Sequence, residues 1–147
     1  MTDISGLLPH AGTARMIERV VRWDREQLVA ATTRHRAADN PLRKDGRLAG
    51  VHLAEFGAQA MAIHGGLLNR ADGIAPKPAL LVSVREFHCT HDSIDDLAGE
   101  LRVTARVLMA SAAGFQYTFD VHHADALIAG GRVAAMVHDL PAGMGGS

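Results

Sequence analysis

A single cysteine, Cys89, occurs in the 147 residues. No intramolecular disulfide can form, and such cysteine usage suits a reducing, cytoplasmic setting. Net charge is only −1, so no global basic field favours nucleic acid. The opening stretch MTDISGLLPH has neither the basic segment nor the apolar run of a secretory signal. Nowhere is there an uninterrupted apolar run long enough to cross a bilayer, so no membrane partner is expected. A glycine-rich phosphate loop and a nucleophile elbow are both missing. Ser83, Ser93 and Ser111 have no triad-like context, which argues against serine-hydrolase chemistry. His88-Cys89-Thr90-His91 lacks the second cluster that a tetrahedral metal site needs. No metal and no redox cofactor are therefore expected. No internal repeat is evident.

What is present centres on residues 47–70, RLAGVHLAEFGAQAMAIHGGLLNR. Val51, Leu53, Ala54, Phe56, Ala58, Ala60, Met61, Ala62 and Ile63 spread over every face of a helix, and a helix apolar all round is buried. A carboxylate inside it is costly unless paired, hydrogen-bonded or used in chemistry, so Glu55 demands explanation. Gln59 follows one turn later on the same face. The small residues Ala54, Gly57, Ala58, Ala60, Ala62, Gly65 and Gly66 allow either close approach of neighbours or an acyl tunnel.

Around this helix the period changes to that of strands. Arg15–Trp23 and Leu28–Thr33 read as an antiparallel pair joined by the polar turn Asp24-Arg25-Glu26. Asn40-Pro41 and Asp45-Gly46 mark a loop before the helix, and Asp72-Gly73 with Pro76 and Pro78 ends it near Asn69. Leu80–Phe87, Leu101–Met109, Phe115–Val121 and Leu127–Val137 follow, joined by short turns that make the sheet largely antiparallel. One domain over residues 1–140 is expected, with 141–147 a disordered glycine-rich tail. A long helix beside one sheet forces the sheet to curl around it. Nothing else in the chain is evident to cover the far side of the helix, so a second copy is expected there. His64 has no evident partner.

Two segments carry a family resemblance. LLPH at Leu7–His10 with MIERV at Met16–Val20 resembles the N-terminal motif of the β-hydroxyacyl-acyl-carrier-protein dehydratases. Gly50-Val51, Glu55 and Ala58-Gln59 match that family's helix motif, Gly-Val-x-x-x-Glu-x-x-Ala-Gln, at every spacing. Asn40-Pro41-Leu42 with Asp45-Gly46-Arg47, and the run Gln59–Ala62, resemble a divergent branch associated with aryl-polyene-type pigment synthesis. The resemblance covers the chain in element order. It implies an α+β hotdog fold, one long buried helix wrapped by a largely antiparallel curved sheet. It also implies dehydration of a carrier-protein-bound 3-hydroxyacyl thioester to the trans-2-enoyl thioester, in fatty-acid-like or polyene synthesis. In that family a histidine removes the α-proton, the helix carboxylic acid helps the β-hydroxyl leave as water, and the N–H of the helix-opening glycine polarises the thioester carbonyl. The chemistry is coherent: a helix N-terminus favours a developing oxyanion, a carboxylic acid withdrawn from water holds its proton, and histidine titrates in a base's range.

The sequence departs from the family at the base. The family's Gly-His-Phe-Pro loop is absent, and its histidine position falls at Pro41. Three groups can replace it: His52, three residues before Glu55; His10; or a histidine from another subunit. The last is preferred, because hotdog dimers build each site from both chains. The expected catalytic set is therefore Glu55, His52 and His10, with Gly50, Val51 and Gln59 against the substrate. Arg34, Arg36, Arg43, Lys44 and Arg47 form a locally basic segment before the helix, and Arg43, Lys44 and Arg47 are expected to dock an acidic acyl carrier protein. The expected assembly is a homodimer, or a heterodimer with a histidine-bearing hotdog paralogue. The alternatives are a hotdog thioesterase, with Glu55 activating water, or a non-catalytic subunit of a heterodimeric dehydratase.

Overall fold

The structure is a computed structural model that describes residues 2–8, 12–75 and 79–137. His10 and the glycine-rich stretch after residue 140 lie outside these. Six strands form one antiparallel sheet: β1 (Arg19–Trp23), β2 (Gln27–Thr32), β3 (Ala79–Cys89), β4 (Leu101–Ala110), β5 (Gly114–His123) and β6 (Ala126–Val137). Their spatial order is β1-β2-β4-β5-β6-β3. The helix α1 (Leu53–Ala71), entered through a 3-10 turn at Gly50–His52, lies between β2 and β3 in the chain and packs on one face of the sheet. This is the single long helix on a curved antiparallel sheet expected above. No helix among the described residues is long and apolar enough to cross a membrane.

Strand register explains which residues face the helix. Cross-strand partners share a face. Leu28, Ala105, Phe119 and Gly131 form one inward row, and Ala30, Val103, Val121 and Ala129 the next. All except the partly buried Gly131 are buried against Phe56, Ala60, Ile63 and Leu67 of α1. Two of the small residues owe their size to this packing. A Cβ on Gly57 would stand 2.5 Å from Phe119 Cγ, and one on Gly66 would stand 2.7 Å from Leu7 Cδ2. At these positions the missing side chain admits a neighbour, not an acyl tunnel.

Three expectations change. The first strand begins at Arg19 instead of Arg15, because side chains take the backbone carbonyls from Thr13 to Glu18. The helix begins later than Arg47: the Gly50 N–H donates to the Asp92 carbonyl at 2.8 Å, and the Ile94 N–H to the Leu48 carbonyl at 2.9 Å. Residues 48–50 therefore run beside 92–94 before the helix starts. Finally, the far side of α1 is covered from within the chain. Ile4, Met16 and Ile17 are buried in the core, and Leu7 sits on Gly66. A buried helix here does not by itself require a second copy.

His64 finds partners that no sequence pattern announced. It is fully buried on α1, with Nε2 2.6 Å from the Asp24 carbonyl and Nδ1 2.5 Å from the Tyr117 hydroxyl. A carbonyl only accepts, so Nε2 carries the proton, Nδ1 accepts, and Tyr117 donates. Burial lowers the His64 pKa and raises that of Tyr117, which keeps both groups neutral. His35 is also fully buried, with its pKa lowered by burial. In the unfolded chain both histidines regain an ordinary pKa of about 6.5. Their neutral forms therefore favour folding fully above about pH 6.5, and that contribution is lost as pH falls below it. The melting temperature is expected to drop between pH 7.5 and pH 5. His64→Phe, losing about 1–3 kcal/mol of buried hydrogen bonding, should melt lower at pH 7.5 and show a flatter pH dependence. An identical pH dependence in variant and parent would remove His64 from this role.

Candidate active site

Glu55 stands in the first turn of α1 and is half-buried. Gln59, one turn on, is 2% exposed and all its amide atoms are engaged. The Met16 N–H donates to Gln59 Oε1 at 2.7 Å. Since that N–H can only donate, the amide orientation is settled. Gln59 Nε2 then donates to the Ala14 carbonyl and to Glu55 Oε1, each at 3.1 Å. Oε1 of Glu55 is thus held as an acceptor, while Oε2 has no hydrogen bond among the described residues. Gln59, expected against the substrate, is instead fully used inside the chain and orients the carboxylate.

The helix entrance also differs from expectation. Gly50 is buried, and its N–H, expected to polarise a thioester, already donates to Asp92. Its glycine identity has a different origin. A Cβ there would lie 2.1 Å from the His91 carbonyl oxygen and 2.6 Å from Cys89 Sγ. Val51, the next residue, is 60% exposed and is the side chain at this end most open to an incoming ligand.

No histidine hydrogen-bonds Glu55 among the described residues. His52 is half-buried in the 3-10 turn with no hydrogen bond to the carboxylate. Beside Pro41, the position of the family's base, Asn40 closes the loop. Buried, it donates from Nδ2 to the Arg34 carbonyl at 2.8 Å and to Met16 Sδ at 3.3 Å, and accepts the Leu42 N–H at 2.9 Å. Asn40 and Arg34 were legible only as a turn signal and a basic residue.

The basic segment divides. Arg43 is consumed by its own loop, donating to the carbonyls of Ala37 (2.7 Å), Gly46 (2.6 Å) and Arg36 (3.0 Å). Arg47 pairs with Asp95, whose carboxyl is held below its ordinary pKa first by the Leu48 N–H and then by Arg47. The Arg43 guanidinium is therefore not free to dock a partner as expected, whereas Arg47 is 57% exposed and meets Asp95 through Nε alone. Lys44 remains exposed at the Asp45-Gly46 turn, whose two left-handed residues close a tight hairpin. Among the described residues no group of three or more His, Cys, Asp or Glu side chains could hold a metal.

A family model for the ApeP-like ApeP dehydratases matches residues 2–144. The chain belongs to this dehydratase family. No curated protein sequence matches it. Among solved structures, the dehydratase heterocomplex ApeI:P from Xenorhabdus doucetiae superposes with a TM-score of 0.84 at 18% identity, over 95% of this chain and 93% of that one. A thioesterase from Staphylococcus aureus gives 0.60 at 15% identity, over 82% and 93% of the two chains. A hypothetical thioesterase from Streptococcus pneumoniae, solved with coenzyme A, gives 0.59 at 11%, over 82% and 84%. These similarities establish the hotdog fold. The ApeP-like family adds the dehydratase assignment.

The contact at Gly50 yields a direct test. Gly50→Ala drives a methyl into a backbone carbonyl that cannot swing away, and is expected to cost at least about 2 kcal/mol in a urea titration. Unchanged stability would mean that residues 89–92 do not press on the helix entrance.

Proposed function

We propose that this chain acts in the dehydration of a 3-hydroxyacyl thioester carried on an acyl carrier protein, with Glu55 as the general acid and a histidine from a partner hotdog chain as the base. The observation that carries this reading is a dehydratase-family carboxylate held by Gln59, with no histidine hydrogen-bonded to it among the described residues. In the proposed reaction the partner's histidine takes the α-proton and an enolate-like intermediate forms. Gln59 can only donate to Oε1, so the acid proton of Glu55 sits on Oε2. From there it passes to the β-hydroxyl, which leaves as water, and the trans-2-enoyl thioester remains. The Cα–H and Cβ–O bonds break, a C=C bond forms and water leaves; the change is redox-neutral, so the reaction calls for no redox cofactor. With the Gly50 N–H engaged by Asp92, the N–H of Val51 is the proposed donor to the thioester oxygen.

Two features support a partner chain. Strand β3 is an edge of the sheet, and it and its neighbour leave Leu80 (67%), Leu81, Val84 and Met136 (58%) exposed. An apolar free edge invites strand pairing with another chain. The ApeI:P structure is itself a heterocomplex. A histidine-bearing paralogue is therefore the proposed partner, in the cytoplasm. Several solved relatives are thioesterases, which keeps release of free thiol as the second reading.

The deciding assay hydrates a crotonyl carrier-protein thioester with this chain alone, and with a histidine-bearing hotdog paralogue. Activity is expected only from the pair. Glu55→Gln should lower kcat by about 100-fold or more, within the range for a lost general acid. His52→Ala should leave the rate within about threefold, since His52 is not the proposed base. Activity that survives Glu55→Gln would make this chain a non-catalytic partner, and release of free thiol would make it a thioesterase.

The proposed carrier dock rests on Lys44 and the exposed Arg47. Lys44→Glu is expected to raise KM for the carrier-bound substrate several-fold without moving the melting temperature. Arg43→Glu, by breaking one part-buried and two exposed loop hydrogen bonds, should lower stability by about 1 kcal/mol. An unchanged KM in the Lys44 variant would place the carrier elsewhere.

A further inference from the structure

Residues 13–18 form a strap that leaves a 3-10 turn at Gly12–Ala14, and its backbone carbonyls are all taken by side chains. Arg34 Nη2 donates to Thr13 at 2.7 Å and its Nε to Arg15 at 3.2 Å. Gln59 Nε2 donates to Ala14 at 3.1 Å, and Thr32 Oγ1 to Met16 at 2.6 Å. Arg15 folds back onto Ile17 at 2.8 Å and Glu18 at 3.2 Å. Arg34 therefore grips the strap at positions 13 and 15, while Gln59 takes the carbonyl between them.

We infer that Arg34 is a positioning residue for Glu55: by holding the strap against Gln59 it fixes the one amide that orients the carboxylate. This rests on the proposed role of Glu55. The Arg34 side chain is 17% exposed and its third grip is Asp39, at 3.0 Å, in the loop where the family keeps its histidine. A single guanidinium thus ties that loop to the strap. Its planar fork meets two carbonyls and a carboxylate at once, which an ammonium on a flexible stem does not. Arg34, Thr13, Arg15 and Asp39 line an open groove of about 470 Å³, and the Thr13 and Arg15 carbonyls are held by Arg34. If Arg34 lets go, the Ala14 carbonyl between them is free to leave Gln59 Nε2; the amide keeps the Met16 N–H, which Thr32 and the core hold, but its nitrogen loses the contact that fixes it toward Glu55 Oε1.

The test compares the parent with Arg34→Lys and Arg34→Gln, each in the complex that carries activity. Two quantities are read: kcat and KM on the crotonyl carrier-protein thioester, and exchange of the Gln59 side-chain amide protons by NMR. Both variants are expected to lower kcat about tenfold with KM within about twofold, the pattern of a misplaced catalytic group. Gln59 amide exchange should accelerate by a similar factor. Arg34→Lys keeps the charge and the Asp39 pair, so it serves if Arg34→Gln does not fold. Unchanged kcat overturns the inference, and so does a lowered kcat with Gln59 amide protection intact. Should the parent complex show no hydratase activity, the dehydratase reading fails. The exchange measurement then decides the Arg34–Gln59 link alone, unchanged exchange overturning it.

Discussion

A buried primary amide must satisfy two donors and an acceptor, and Gln59 does so across three parts of the chain. Its oxygen takes the Met16 N–H, and its nitrogen serves Ala14 and Glu55. The strap is pinned to α1 at this point, and the carboxylate has one oxygen fixed and one open. Leaving any of these groups unpaired in the interior costs more than making the bond gains. The geometry at Glu55 therefore depends on the strap as much as on the helix.

The packing around this point is set by close approaches. Phe119 of β5 fills the space left by Gly57 on α1, with Gly131 of β6 on its other flank and Phe87 stacked at 6.3 Å. Gly50 lets the segment after β3 pass across the helix entrance. These contacts place the entrance and first turn of α1, and with them Val51 and Glu55, relative to the sheet. They also use up the small residues that a tunnel would have needed at positions 57 and 66.

The loop before the helix is built for closure and carries no base. Asn40 knots its centre, Arg43 holds three of its carbonyls, and Arg34 ties it to the strap through Asp39. In the proposed reaction the proton-accepting half of the chemistry falls to another chain. The exposed edge of β3 offers the surface on which such a chain can pair.

The sequence by itself determined the element types and their order. Apolar residues around every face of 47–70 and alternation in 101–137 are local periodicities, and they specify a helix and strands without knowledge of the rest. The Gly50-Val51, Glu55 and Ala58-Gln59 spacing likewise identified the carboxylate and its neighbour, because one helical turn relates them. Only the tertiary structure decided what these residues touch. The hold of Gln59 on the strap, the engagement of the Gly50 N–H by Asp92, the Arg47–Asp95 pair and the His64–Tyr117 pair all join residues distant in sequence. Such contacts satisfy buried polar groups, and which group meets which is settled by where the backbone passes, a property that no local pattern encodes.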